Sequence, residues 1–331
     1  MSHTFTALRI TENADKTFTR QLVTRNTDEL PAGDVLIKVV YSSLNYKDAL
    51  SATGHKGVTR NYPHTPGIDA AGHVAESNDS RFAIGDAVFV TGYDLGMNTA
   101  GGFAGYIRVP ADWVVKLPSG LTLQESMIYG TAGFTAALSV YKLQHAGLKP
   151  EKGEVLVTGA TGGVGSIGVA LLAKLGYQVI AGTGKSSAHD FLKQLGATGF
   201  LSREELVDMS SRPLLKGRWA GVLDTVGGDI LVTALKSTKY WGHVSCCGLV
   251  ASPTLNASVY PFILRGVDLL GVDSVECPMD ARLILWQRMA SDWKIDLAPL
   301  MTTECSLAEL NDVYIDKILQ GQALGRIVVK I

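Results

Sequence analysis

Residues 155–176 read VLVTGATGGVGSIGVALLAKLG, and this stretch decides the fold. An apolar run of strand length, VLVTG, passes into a cluster of glycines and then directly into a segment with Val, Ile, Leu and Ala at helical spacing. Glycines at such a turn let the backbone bend sharply and come close to a phosphate, whose charge is met by the free N–H groups of the helix N-terminus. Two registers of the fingerprint fit. Gly163, Gly165 and Gly168 spell GxGxxG literally, whereas Ala160, Gly162 and Gly165 begin where the strand ends, with Ala in place of the first Gly. We prefer the second, because the phosphate turn has to start at the strand's carboxyl end and not inside the helix.

Toward the C-terminus the alternation continues. YQVIAG (177–182), a helical SAHDFLKQLG (187–196), TGFLS, GVLDTVG (221–227), a helix near 229–239 and HVSCCGL (243–249) follow one another. Apolar strands linked by crossover helices make a doubly wound parallel sheet, so an α/β Rossmann domain is expected. Toward the N-terminus the pattern is different. TALRI (6–10), VLIKVVYSSL (35–44), AAGHVAE (70–76), DAVFVTG (86–92) and GYIRVP (105–110) are short strands separated by Gly, Pro and Asp, as in a small, partly closed β-barrel. Residues 123–145 have helical spacing, and after Asp273 the chain turns helical again before the terminal GRIVVKI. The expected boundaries are therefore a barrel domain at 1–122, a Rossmann domain at 123–273 and a return to the first domain at 274–331.

The chain has 331 residues, 46% of them hydrophobic, enough for two cores without disulfide staples. With 30 basic against 31 acidic residues the net charge is −1, and no run of Lys and Arg marks a nucleic-acid or membrane surface. The N-terminal stretch lacks the basic start and apolar core of a secretory signal, and no apolar run is long enough to span a bilayer. The cysteines, Cys246, Cys247, Cys277 and Cys305, form no CxxC pair. A cytoplasmic protein with reduced thiols is expected.

A dinucleotide site needs a ribose partner at the end of its second strand. An NAD-binding domain places an Asp or Glu there to accept from the 2′-OH. Here YQVIAG runs into Thr183-Gly184-Lys185-Ser186-Ser187, and the first acid, Asp190, is already inside the next helix. A Lys flanked by hydroxyls suits a 2′-phosphate, so NADPH is the expected cofactor.

SSLNYKDAL (42–50), PGIDAAG (66–72), GTAGFTA (130–136), TGATGGVG (158–165), DTVGG (224–228), PFILRGVDLLGVDS (261–274) and GRIVVKI together resemble the medium-chain dehydrogenase/reductase superfamily. More narrowly they resemble its bacterial acryloyl-CoA reductases (NADPH) and quinone oxidoreductases. The resemblance covers almost the whole chain. It implies a GroES-like barrel joined to a Rossmann domain with the active site in the cleft between them. It also implies NADPH contacts at Tyr46, at Thr161, Gly162, Gly163 and Val164, at Thr183, Gly184 and Lys185, at Arg203, at Leu249, and at Ile263 and Ser274. Arg203 stands where a guanidinium can reach the 2′-phosphate or the adenine.

Zinc-dependent members of the superfamily use a Cys and a His-Glu pair in the barrel, plus four closely spaced Cys. This chain has Gly67-Ile68-Asp69 where Gly-His-Glu would fall, and all its cysteines lie beyond residue 245. Neither ligand set can be assembled from the first domain, so no metal is expected.

Hydride transfer to a carbon–carbon double bond without a metal needs a donor to the carbonyl oxygen and a proton for the α-carbon. Asn45, Tyr46, Lys47 and Asp48 form the densest polar group near the expected site. Asn45 can donate to the substrate carbonyl, Tyr46 can contact the nicotinamide or relay a proton, and Asp48 can orient Lys47 or Arg326. Asp48 also reads as an ordinary helix cap. The expected activity is reduction of acryloyl-CoA to propanoyl-CoA, with quinone reduction as the alternative. A cofactor-binding protein with little catalysis, as in superfamily members that serve as lens proteins or RNA binders, fits the intact polar group less well. A homodimer is expected, its copies pairing through the strand-like LLGVD at 269–273.

Overall fold

The computed structural model describes residues 2–331, apart from the side chain of Met301. Its strands and principal helices run β1 Thr4–Glu12, β2 Phe18–Asn26, β3 Val35–Ser43, α1 Tyr46–Ala52, β4 Asp69–Ser77, β5 Ala87–Thr91, β6 Tyr106–Val109, β7 Val115–Lys116, α2 Leu123–His145, β8 Val155–Val157, α3 Gly163–Lys174, β9 Val179–Gly182, α4 His189–Gln194, β10 Gly199–Leu201, β11 Trp219–Asp224, α5 Gly228–Lys236, β12 Thr238–Cys246, α6 Tyr260–Arg265, β13 Asp268–Gly271, α7 Met279–Met289, β14 Met301–Ser306 and β15 Arg326–Lys330. The chain divides into two compact units. One runs up to Thr131 and includes 275–291 and 301–331; the other comprises 132–274 and 292–300.

In the first unit a seven-stranded sheet is ordered β14-β15-β3-β4-β5-β7, with β6 also on β3. The strand β3 is its hub. One edge carries β4, while the other is shared end to end by β6 on Val35–Lys38 and by β15 on Tyr41–Ser43. The alternating inward residues Val35, Ile37 and Val39 pack with Val74, Val88 and Ile107. The terminal strand does return to this sheet, as the sequence suggests, and it brings Arg326 into the core at 2% exposure. Three strands escape the sequence reading. The β2 strand forms a hairpin with β1 and is largely polar, β7 is only two residues long, and β14 runs parallel to β15.

In the second unit six parallel strands lie in the order β10-β9-β8-β11-β12-β13. Counted from β8 this is the 3-2-1-4-5-6 order of a doubly wound dinucleotide fold, whose switch point lies between β8 and β11. Its core includes Leu156, Ile180, Trp219, Val222 and Val244. The strands β10 and β13 form its two edges.

The helix α2 is not the uninterrupted element that its spacing suggests. It breaks at Gly130, where φ is 50° and ψ is −158°. A Cβ there would stand 2.5 Å from Asp69 Oδ2, 2.7 Å from Ser43 Oγ and 2.9 Å from Arg326 Nη2, so only glycine lets the chain pass. The division between the units falls just after this break, between residues 131 and 132, and not at 122/123. The segment 292–300, expected in the first domain, groups with the second unit.

Candidate functional site

At the end of β8 the chain turns through Thr158-Gly159-Ala160-Thr161-Gly162 and enters α3 with Gly162 as its N-cap. The helix begins at Gly163, so the literal GxGxxG lies inside it and the Ala160–Gly162–Gly165 register matches the turn. Each glycine has a reason. Gly159 has φ +58°, and a Cβ on Gly165 would overlap Gly159 O. The turn and the helix therefore approach too closely for any side chain at Gly165, while Gly162, whose Cβ would meet only Gly159 O at 3.4 Å, leaves the mouth of the turn open. No acidic residue occupies the first turn of α3, and this 12-residue helix presents its positive end there. These are the features a pyrophosphate requires, and Thr161, Gly162, Gly163 and Val164 are the residues that would hold it.

The turn is braced from behind by a pair the sequence reading passed over. Thr158 Oγ1 donates to Asp224 Oδ1 at 2.7 Å, and Asp224 Oδ2 accepts from the backbone N–H groups of Gly227 and Val226 at 2.8 and 3.3 Å. Asp224 is fully buried, and burial raises its carboxyl above the ordinary value. DTVGG contains this residue, but nothing in the motif says that its carboxylate turns back onto β8.

The end of β9 runs into Thr183, Gly184 and Lys185. Thr183 Oγ1 accepts from Lys185 N–H at 3.1 Å. The Arg203 guanidinium lies across Gly184, with Nε and Nη2 each 3.5 Å from where a Cβ on that glycine would sit. A side chain at 184 would push Arg203 away. The backbone of Leu249 lies against Gly227, where a Cβ would meet Leu249 Cα at 3.3 Å. Ser274 Oγ accepts from Thr135 Oγ1 at 2.8 Å, a partner on α2 that sequence reading missed. Ile263 stands 68% exposed on α6, beside the exposed Val259, Tyr260 and Leu264.

In the first unit the Asn45–Asp48 group caps α1. Asp48 Oδ2 accepts from Asn45 N–H at 2.8 Å and from Asn45 Nδ2 at 3.2 Å, while Oδ1 accepts from Ile68 N–H at 2.8 Å. This is the cap geometry. Asp48 therefore does not orient Lys47, whose Nζ lies 3.9 Å from Met97 Sδ, and it reaches Arg326 only through Asn45. Burial, and then the neighbouring Asp69 charge, raise the Asp48 carboxyl from 3.8 to about 7.

Asn45 is also corrected. Its amide Nδ2 donates to Asp69 Oδ2 at 2.7 Å and contacts Ser43 O at 3.3 Å, so both of its hydrogens have acceptors inside the protein and none is left for a substrate carbonyl. Arg326 is likewise internal. Its Nε donates to Ile128 O at 2.8 Å, Nη1 to Leu44 O at 3.2 Å and Asn45 Oδ1 at 3.4 Å, and Nη2 to Ser43 Oγ at 2.8 Å. A guanidinium at 2% exposure with these partners is a positioning residue, and burial lowers its pKa.

The centre of the cluster is Asp69, the residue that stands where zinc enzymes have Glu. Its carboxylate accepts from Ser43 Oγ at 2.7 Å, from Asn45 Nδ2, and from Thr131 N–H at 3.0 Å and Thr131 Oγ1 at 2.6 Å. A lone acid opening the apolar run DAAGHVAE was the available signal, since a buried charge needs partners. Of the four residues, Tyr46 alone is exposed, at 37%, on the first turn of α1.

A model of the alcohol dehydrogenase GroES-like domain matches residues 31–119, and one described as a zinc-binding dehydrogenase matches residues 163–291. The acrylyl-CoA reductase AcuI of Ruegeria pomeroyi is 44% identical over 99% of both chains. The chain belongs to the medium-chain dehydrogenase/reductase superfamily, in its acryloyl-CoA reductase subgroup. YhfP of Bacillus subtilis, provisionally named a quinone oxidoreductase, is 51% identical over the full length of both chains. Its structure, solved with NAD bound, has 50% identity and a TM-score of 0.96 over 99% of this chain and 100% of that one. The yhdH oxidoreductase of Salmonella enterica, solved in complex with NADP, is 47% identical with a TM-score of 0.94 over 98% of this chain and 99% of that one. The GroES-like fold of the first unit and the Rossmann fold of the second are thus those of the superfamily. Among the described residues, no three His, Cys, Asp or Glu come together in a group that could hold a metal ion, and no helix is long and apolar enough to cross a membrane.

Proposed function

We propose that this chain is an NADPH-dependent reductase of the activated double bond of a small enoyl thioester, acryloyl-CoA in the first place. The observation that carries the cofactor half of this reading is the end of β9, where Thr183 and Lys185 flank Gly184, the Arg203 guanidinium lies across that glycine, and no Asp or Glu occurs in residues 183–187. Two cations and a hydroxyl complement a 2′-phosphate, whereas a free 2′-OH would find no acceptor of the usual kind. The NADP-bound yhdH relative agrees with that choice; the NAD-bound yhfP relative is the reason to measure both cofactors.

When bound, the nicotinamide supplies the hydride. What the chain's own residues do follows from their placement. Thr161 to Val164 hold the pyrophosphate, and Thr158 and Asp224 keep that turn in place. Asp48, Asn45, Asp69 and Arg326 fix the first turn of α1, which leaves Tyr46 to offer its hydroxyl to the reacting groups and Lys47 to offer a cation. Tyr46 is therefore the residue that supplies the proton to the α-carbon. No metal takes part in this reading, because the carboxylate in the position of a zinc-ligand neighbour, Asp69, is already saturated by four donors, and the four cysteines lie elsewhere.

Quinone reduction is the second reading, favoured by the provisional name of the YhfP relative. A quinone needs no α-carbon proton from the protein, so the two separate at Tyr46. Tyr46→Phe is expected to lower kcat on acryloyl-CoA by roughly 10²-fold while quinone turnover changes far less. NADPH oxidation by a quinone with none on acryloyl-CoA would decide for the alternative.

The same reading takes the protein to be a cytoplasmic homodimer. The edge strand β13 and the exposed Val259, Tyr260, Ile263 and Leu264 beside it support a second copy there.

A further inference from the structure

On the first unit, a pocket of about 320 Å³ opens between the β1–β2 hairpin and the loops around residues 63–65 and 98–100. It has no part in the chemistry described above. Arg9 and Arg25 reach it from neighbouring strands of the hairpin. Arg25 is held in place, its Nε 3.3 Å from Glu29 Oε2 and its Nη2 donating to Glu29 O at 3.1 Å. Glu29 is in turn occupied, since its Oε1 accepts from Asn26 N–H at 2.9 Å. Arg9 has no ion-pair partner among the described residues. His64, buried at 7% exposure, has its Nε2 2.9 Å from Gly96 O, and burial holds the imidazole below its ordinary value, so it adds no charge. The pocket therefore carries two guanidiniums against one carboxylate.

Two further features bear on a ligand. Thr65, at 2% exposure, lines the pocket and sets a hydroxyl-bearing side chain in its wall. The second feature is connectivity. The loop that lines the pocket at Asn98 and Ala100 is the one that Lys47 touches at Met97, next to Tyr46 on α1. Asn98 Oδ1 also accepts from the backbone N–H of Arg60 at 3.3 Å, which holds that side of the pocket in place. The volume is at the lower end of that typical for small-ligand sites, enough for a nucleotide fragment.

The geometry points to this pocket as the site for the phosphorylated adenosine tail of the thioester's coenzyme A, with Arg9 and Arg25 on its phosphates and Thr65 donating to it. This rests on the enoyl-thioester reading above and adds to it the part of the substrate remote from the double bond. Binding energy from such a remote part can be used at the reacting end, so a truncated thioester is a poorer substrate.

The test uses full-length protein saturated with NADP⁺, so that the cofactor site cannot take up the probe. In calorimetry 3′-phosphoadenosine 5′-phosphate binds the wild type, and Arg9→Glu, a change at an exposed position, weakens that binding by about tenfold or more. The same variant raises KM for acryloyl-CoA by a similar factor, and leaves kcat and the KM for acryloyl-pantetheine unchanged. The inference is overturned if the probe does not bind, if Arg9→Glu leaves its affinity alone, or if both thioesters suffer equally. Inorganic phosphate competing as well as the nucleotide would also overturn it, by reducing the pocket to a bare anion site. Wild-type protein that binds the probe yet oxidises no NADPH on either thioester rejects the functional reading and keeps the pocket.

Discussion

The phosphate turn of the second unit and the carboxylate cluster of the first both manage charge below the protein surface, and they do so by opposite means. At the turn the chain removes side chains. Gly159, Gly162 and Gly165 bring bare backbone to the place where an anion is to sit, and the nearest carboxylate, Asp224, is turned away onto Thr158 and the N–H groups of Val226 and Gly227. In the cluster the chain adds side chains until every lone pair and proton is taken. Asp69, Asp48, Asn45, Ser43, Thr131 and Arg326 bond one another and leave only Tyr46 and Lys47 facing outward. One region is made to receive a ligand and the other to hold its neighbours still, so a site of binding is recognised by what is missing and a site of positioning by what is saturated.

The largest test of that contrast is Asp69→Ala. It deletes the acceptor shared by Ser43, Asn45 and Thr131 and leaves the Arg326 guanidinium buried with Asp48 as its nearest remaining carboxylate. Removing one partner of a buried charge pair typically costs about 3–5 kcal/mol. Denaturant unfolding of the variant is expected to show a loss of that size, with any protein that remains folded still binding NADPH. A loss below about 1 kcal/mol, the scale of an exposed ion pair, would mean that the cluster is not the positioning core described.

Asp48→Asn should have a smaller effect, one that depends on pH. Both carboxyl oxygens of Asp48 accept backbone N–H groups, so an amide at this position sets an NH₂ against a donor and costs about 1–3 kcal/mol. The native carboxyl titrates near 7 and the unfolded one near 3.8, so the native state binds the proton more tightly. The stability this contributes is complete below about pH 4 and is lost as pH rises through about 7. The gap between wild type and variant is therefore wider at pH 5 than at pH 8. Equal gaps at the two pH values would show that Asp48 is ionised throughout.

The turn was legible in the sequence because all its parts are adjacent. A strand, a bend and a helix within 22 residues leave a local pattern, and the missing acid after β9 is local too. The cluster was legible only as a list. Asn45, Asp48 and Arg326 were recognisable as unusual polar residues, but beyond the local cap of α1 their partners lie 20 to 283 positions away along the chain. No local spacing announces that Asp69 will accept from Thr131 or that Gly130 must be bare for it to do so. Asn45 was misread for the same reason, since an amide is a free donor until its acceptors are known. The break in α2 belongs here as well. The apolar spacing of 123–145 continues through Gly130 without a change, and only the packing of Asp69, Ser43 and Arg326 against that glycine explains the kink.

The last test sharpens the receiving side of the comparison. If the end of β9 is made for a 2′-phosphate, charge at that point should matter for one cofactor and not for the other. Lys185→Ala is expected to raise KM for NADPH by about tenfold, the worth of one charge-assisted hydrogen bond, and to leave KM for NADH nearly unchanged. The remaining preference for NADPH would then belong to Arg203, and Gly184→Asp should remove it, because the new carboxylate fills the space in which the guanidinium lies and gives a ribose hydroxyl its acceptor. Equal use of the two cofactors by the unmodified protein, or equal effects of Lys185→Ala on both, would show that the cationic group reads no phosphate.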